Sequence, residues 1–93
     1  MDIQHEYGES KGKFFLEKDG KVKAEITYSK MGNTGIIIDH TEVSDELRGK
    51  NVGKKLVKTA IAYARNNNLK VIPLCPYAKS VIERDPSLQD VLR

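Results

Sequence analysis

The feature that most constrains this 93-residue chain is a change of hydrophobic period between residues 35 and 64. From Gly35 to Val43 the residues are largely β-branched, apolar in the first half and polar in the second, and they read as a strand. Beyond it Val52, Leu56, Val57, Ala60, Ile61 and Ala64 recur at helical spacing and predict a helix from about Val52 to Asn67. The bend between the two carries Gly49 and Gly53 among the cations Arg48, Lys50 and Lys54. A strand fed through a tight bend into a helix leaves the first helical N–H groups without partners, and such a terminus attracts anions. The segment Arg48, Gly49, Lys50, Asn51, Val52, Gly53 and Lys54 is therefore a candidate site for a phosphate group. A backbone without Cβ takes the turn and approaches a ligand closely, which is what the two glycines supply.

The remaining chain supplies a small α+β domain around this unit. Residues 1–12 are polar and are read as a loosely held lead-in, with His5 exposed and idle. Lys13 to Lys18, Asp19-Gly20 and Lys21 to Ser29 spell a hairpin, because Asp-Gly accepts the positive φ values of a two-residue turn. In its second strand Val22, Ala24, Ile26 and Tyr28 alternate with Lys21, Lys23, Glu25 and Thr27, so one face should be buried. Met31-Gly32-Asn33 makes a turn into the central strand. Strict alternation there puts Ile36, Ile38, His40 and Glu42 on one face and Ile37, Asp39, Thr41 and Val43 on the other. Asn66-Asn67-Asn68 ends the helix. Lys70 to Leu74 is a short strand, parallel to the central one because a helix connects them, and Pro73 and Pro76 stop it. Tyr77 to Arg84 forms a second helix, and residues 86–92 a last turn or two capping the sheet.

Composition narrows the class. The length suits one domain spanning 1–93, and 39% hydrophobic with 31% charged residues excludes a disordered chain. No apolar run spans a membrane and no signal-peptide zones are visible, so the chain is expected to be cytoplasmic. The single cysteine, Cys75, excludes an internal disulfide and a multi-thiolate zinc site, and no metal is expected. From Leu47 to Ile82 there are eight cations and no acid, against eight cations and thirteen acids elsewhere. Such a block suggests a polyphosphate or nucleic-acid partner, or else an ordinary solvated face. Two Phe and no Trp give no stacking platform at strand spacing, which weighs against nucleic acid.

The bend is not a nucleotide-hydrolysing P-loop. Gly49 and Gly53 are three residues apart rather than four, and Lys54 is followed by Lys55 instead of Ser or Thr. The dinucleotide fingerprint also fails, since no acid follows about twenty residues on. Arg48-Gly49-Lys50-Asn51-Val52-Gly53 instead resembles the Arg/Gln-x-x-Gly-x-Gly/Ala signature of the GNAT superfamily of acetyl-CoA-dependent N-acetyltransferases. Asn51 stands where that signature has its first glycine, and asparagine is the non-glycine residue most tolerant of positive φ. His40-Thr41-Glu42-Val43, Arg48-Gly49-Lys50 and Cys75-Pro76-Tyr77, in that order, are similar to a small single-domain branch of the superfamily, over roughly residues 13–92.

The resemblance implies a minimal GNAT-like fold with a mixed, mostly antiparallel sheet, one long helix and a C-terminal helical cap. It implies acetyl-CoA as donor, its diphosphate on the amides of residues 48–54 and its pantetheine beside the strand ending at Val43. The acceptor amine, small molecule or protein, stays open, as does the choice between a monomer and a weak homodimer. His40 and Glu42 are candidate bases. Cys75, just ahead of a helix start and near Lys79, is a candidate proton donor or acyl acceptor, or a small buried residue. Tyr77 is a second candidate donor. The competing readings are a CoA-binding module without transferase activity and a basic nucleic-acid-binding module.

Overall fold

The computed structural model describes residues 2–93. Five strands form one sheet in the order of the chain: β1 (Gln4–Tyr7), β2 (Lys11–Lys18), β3 (Lys21–Met31), β4 (Gly35–Val43) and β5 (Lys70–Pro73). The first four pair antiparallel and β5 joins β4 in parallel. Helix α1 (Val52–Asn66) links β4 to β5, helix α2 (Pro76–Glu83) follows, and a 3-10 segment (Pro86–Val91) closes the chain. The small α+β domain expected from the resemblance is thus present. No helix among the described residues is long and apolar enough to cross a membrane.

Local chemistry explains where the elements start and stop. Asp19 and Gly20 take φ values of 53° and 77°, the paired positive values of the tight hairpin turn. Helix α1 ends in a left-handed residue, Asn68 at φ 57°. The Leu69 N–H then donates to the Ala64 carbonyl at 2.8 Å and the Asn68 N–H to that of Arg65 at 3.3 Å, which satisfies the last helical carbonyls. Pro76 opens α2, where its missing N–H costs nothing.

The core lies on one face of the sheet. Phe14, Leu16, Ala24, Ile26, Tyr28, Ile36 and Ile38 meet the α1 stripe Leu56, Val57, Ala60, Ile61 and Ala64, with Ala78 and Ile82 of α2 sealing one end. The other face carries no helix.

Three expectations are overturned. The lead-in expected over residues 1–12 is not loose where it is described, because Gln4–Tyr7 is a strand paired to Gly12–Phe15 of β2; Met1 lies outside the described residues. His5 is neither exposed nor idle. Its Nε2 lies 2.6 Å from the Tyr28 hydroxyl, and its ring stacks on Phe14 at 4.1 Å with Tyr63 edge-on at 4.9 Å. Val22, expected on the buried face, is 42% exposed, because the β2–β3 register shifts at Leu16/Glu17.

A fourth correction bears on the site. The β3–β4 pairing shifts between Thr27, opposite His40, and Tyr28, opposite Ile38, leaving Asp39 as an extra residue in β4. Such a bulge reverses the alternation downstream. Thr41 and Val43 stand opposite Ile26 and Ala24 on the helix-covered face, while His40 and Glu42 stand opposite Thr27 and Glu25 on the bare one. The expected grouping of His40 and Glu42 with Ile36 and Ile38 is therefore wrong by one residue.

His5 generates a prediction. Burial, and then the positive charge of Lys30, holds its imidazole below the usual value of 6.5, so the fold favours the neutral ring. Its contribution to stability is complete above about pH 6.5, the unfolded value, and is lost as pH falls from there towards the folded one. Urea denaturation at a series of pH values should show that loss in the wild type and a flatter profile in His5→Gln between pH 7 and pH 5.5.

Candidate active site

The bend after β4 is pinned from three sides. Leu47, in a 3-10 turn over Asp45–Leu47, is 6% exposed and anchors the loop in the core. The Ser44 N–H donates to the Lys23 carbonyl at 2.8 Å, and Lys23 Nζ meets Glu46 Oε1 at 2.6 Å, tying the loop to β3. Arg48 Nη1 lies 3.1 Å from Asp45 Oδ1. With its base fixed, the loop turns through Gly49 at φ 80° and Asn51 at φ 60°, the second as expected for an asparagine in place of glycine.

This geometry leaves a row of donors free. The Arg48 N–H donates to the Asp45 carbonyl at 3.2 Å, and the Lys55 N–H to that of Asn51 at 3.0 Å. Between those two, the amides of residues 49–54 have no acceptor among the described residues, and Asn51 gives α1 no side-chain cap. An uncapped helix start concentrates partial positive charge, and a dianionic group is the natural complement. The cleft beside it, about 380 Å³, is lined by Thr41, Val43, Leu47, Arg48, Gly49, Asn51, Val52, Gly53 and Tyr77. Gly53 lets the Tyr77 ring lie close against the start of α1, since a Cβ there would stand 2.7 Å from the Tyr77 hydroxyl and the ring would have to shift.

The cleft continues along an open strand edge. Pairing between β4 and β5 ends at Ile38 and Pro73, and the Leu74 and Cys75 N–H groups both turn back to the Ile38 carbonyl, at 3.0 and 3.1 Å. From Asp39 to Val43, β4 has β3 on one side and no strand on the other. Cys75 is the residue before α2, 6% exposed, with Sγ 3.4 Å from Thr41 Oγ1. Burial raises its thiol pKa, but hydrogen bonding with the Thr41 hydroxyl and the pull of the Ala78, Tyr77 and Thr41 backbone groups outweigh it. The net effect is a thiol below its ordinary value.

The predicted site residues thus divide. Val43, Arg48, Gly49, Asn51, Val52, Gly53 and Tyr77 share the cleft, and Cys75 adjoins it through Thr41. Lys50 is an exposed loop cation, and Lys54 belongs to a neighbouring cleft. Lys79 is exposed and is not among the leading causes of the Cys75 shift, which come from burial, Thr41 and nearby backbone groups. His40 and Glu42, 3.5 Å apart at their side-chain tips, occupy the bare face and do not meet Cys75 or Tyr77. The basic block is not one free face, because Arg65 pairs with Asp90 at 2.7 Å and Arg48 with Asp45. Thr41 escaped notice because simple alternation placed it away from Ile38.

A donor-loaded strand-to-helix loop beside an interrupted parallel pair, on a five-stranded mixed sheet, defines an α+β domain of the kind that the resemblance implies. Comparison with known proteins makes the assignment specific. A family model described as GCN5-related N-acetyl-transferase matches residues 13–91, and the chain belongs to that family. Its sequence is 28% identical over 85 residues to protein NATD1 of Gallus gallus, covering 90% of this chain and 77% of that one. The NMR solution structure of a GCN5-like protein from Staphylococcus aureus superposes with a TM-score of 0.73 at 46% identity, covering 99% of this chain and 87% of that one. A Bacillus anthracis protein crystallised with acetyl coenzyme A shares the fold, with a TM-score of 0.58, 19% identity and coverage of 71% and 38%.

The Thr41 contact is testable. Replacing Thr41 with Val removes the hydroxyl that favours the Cys75 thiolate, so the midpoint of the pH dependence of Cys75 alkylation by iodoacetamide should rise. An unchanged midpoint would remove Thr41 from the site.

Proposed function

We propose that this chain binds acetyl-CoA and transfers the acetyl group directly to an amine. One juxtaposition carries the reading: the free amides of residues 49–54 stand beside a strand edge, Asp39–Val43, that opens where β5 stops. A diphosphate fits the amides, with Arg48, Lys50 and Lys54 supplying countercharge. An amide-bearing arm then has an unpaired edge at Glu42 and Val43 on which to pair as a strand would.

The residues divide the transfer between two sides of that edge. The amine nitrogen forms a bond to the thioester carbonyl carbon, the carbon–sulfur bond breaks, the nitrogen sheds a proton and the departing thiolate needs one. Cys75 is assigned here as the donor of that proton, a role supported by its thiol lying next to Thr41 at the edge of the cleft. His40, backed by Glu42 at 3.5 Å, lies on the bare side, where an incoming amine has access. Edge N–H groups of β4 stabilise the oxyanion. Tyr77, 44% exposed, serves here as a wall of the cleft.

Isothermal titration with acetyl-CoA, followed by a panel of amines, tests this reading. Gly49→Val forces a β-branched residue to φ 80°, where nothing crowds its Cβ, so any loss reflects the altered loop rather than a clash. Binding should weaken by about tenfold or more, since strain at such a position costs about 1–3 kcal/mol. Cys75→Ala should lower kcat by about a hundredfold or more and leave acetyl-CoA affinity nearly unchanged, as expected for loss of a positioned proton donor. No binding by the wild type, or full turnover by Cys75→Ala, would overturn the donor site or the role of the thiol respectively.

A further inference from the structure

A cleft of about 680 Å³, larger than the donor cleft, opens on the bare face of the sheet. That volume is in the range of small-molecule sites. Pairing across four strands fixes what lines it. Glu6 of β1 stands opposite Lys13 of β2, Lys13 opposite Thr27 of β3, and Thr27 opposite His40 of β4. Residues directly opposite one another in antiparallel strands share a face, so these four form one row that ends at His40, where the proposed transfer puts the incoming amine. A second row runs beside it. Lys11 is opposite Ser29, and the Ser29 hydroxyl donates to Asp39 Oδ2 at 2.7 Å. Glu6, Lys11, Lys13, Thr27, Ser29 and Asp39 all line the cleft.

The charges along these rows have an order. Starting from the β4 edge there is a carboxylate, Asp39, then the hydroxyls of Thr27 and Ser29, then the ammonium groups of Lys11 and Lys13. Glu6 stands beyond them, on β1. None of these four charged groups makes an ion pair among the described residues. Lys13 lies over the Phe15 ring with Nζ 5.0 Å from the centroid, a contact that fixes the ammonium without neutralising it. A ligand whose amine sits at the β4 edge meets the two lysines next, two strand spacings or about 10 Å away between backbones, a gap that a lysine side chain can shorten. A second cation would have to pass both lysines to reach Glu6, whereas an anion stops on them.

Resting on the transfer proposed above, we infer that the acceptor is a small zwitterion, a primary amine that carries a carboxylate, seated in this cleft with its amine beside His40 and its carboxylate on Lys11 and Lys13. Asp39, held by Ser29, draws the amine end to the β4 edge, and the lysines draw the other end away from it. Lys11 and Lys13 are specificity-determining residues, on strands remote from the Gly-rich bend.

The test measures acetyl transfer from acetyl-CoA to three amines that differ only in their far end: 6-aminohexanoate, hexylamine and 1,6-diaminohexane. Nitrogen-15 NMR spectra follow the binding of each. Wild type should use 6-aminohexanoate with a kcat/KM at least about fivefold above the other two, the size expected of charge-assisted hydrogen bonds in an open cleft. Its addition should shift the amide signals of Lys13, Thr27 and Ser29. Lys13→Ala should raise KM for 6-aminohexanoate about fivefold with little change in kcat, which brings that substrate level with hexylamine, and Lys13→Arg should restore the preference. Lys11→Ala should also reduce the ratio. Isothermal titration with acetyl-CoA reports the donor site separately, and a misfolded variant would lose the donor and all three amines together. A protein that binds acetyl-CoA but shows no preference for 6-aminohexanoate, prefers the diamine, or leaves the signals of Lys13, Thr27 and Ser29 in place overturns this inference and leaves the donor reading standing. Failure of the wild type to bind acetyl-CoA overturns the donor reading, and this inference with it.

Discussion

The arrangement depends on one constraint, the early divorce of β4 from β5. Four residue pairs, from Gly35–Lys70 to Ile38–Pro73, join the two strands, and then the Ile38 carbonyl takes the N–H groups of both Leu74 and Cys75. Proline at 73 brings no donor to a continuing ladder, and proline at 76 commits the chain to a helix. Strand β4 nonetheless runs on to Val43, held by β3 alone on one side. A buried strand edge is normally covered, because unpaired N–H and C=O groups away from water are costly. Leaving one open beside a cleft makes it a ready place for a partner that can pair like a strand.

The bulge at Asp39 decides which side chains surround that edge. By adding one residue to β4 it moves Thr41 and Val43 to the helix-covered face and His40 and Glu42 to the bare one. Thr41 then reaches Cys75, and the loop that follows enters α1 with its amides facing the same cleft. The two titratable groups on the bare face and the hydroxyl of Thr41 beside the thiol are consequences of one inserted residue. They approach the same edge from opposite sides, which suits a reaction in which a proton leaves one reactant and another arrives at the leaving group.

Much of this was legible in the sequence, for reasons that also mark where legibility ends. Asp19-Gly20 announces its hairpin because few residues accept two successive positive φ values. The α1 stripe is unambiguous, since six apolar positions repeat with the helical period, and the asparagine run really does supply the left-handed residue that ends the helix. Asn51 took the strained conformation that its chemistry permits. Strand β1 was hidden because Gln4, His5, Glu6 and Tyr7 are all polar or amphipathic. What holds it is backbone pairing and an aromatic contact between His5 and residues nine or more positions away. A bulge is invisible to counting by twos, so the same alternation that located β4 assigned its second half to the wrong faces.

Charge was legible in amount and not in placement. The cationic block from Arg48 to Lys79 suggests a uniform basic surface, yet the fold spends its members differently. Arg65 goes to a two-pronged contact with Asp90 that fastens the closing turn to α1, and Arg48 stabilises the 3-10 turn through Asp45. These exposed pairs contribute little energy each, and their effect is to fix local geometry. Lys50, Lys54, Lys55, Lys58 and Lys79 make no ion pair among the described residues, and of these Lys50 and Lys54 stand with the free amides of residues 49–54 at the start of α1. A compact set of unspent donors at one helix end favours a small, multiply charged ligand over a long polyanion, which would gain more from an even spread of cations along a face. The free amides gathered at one helix start, rather than the net charge, are what favour the donor-binding reading over a nucleic-acid one.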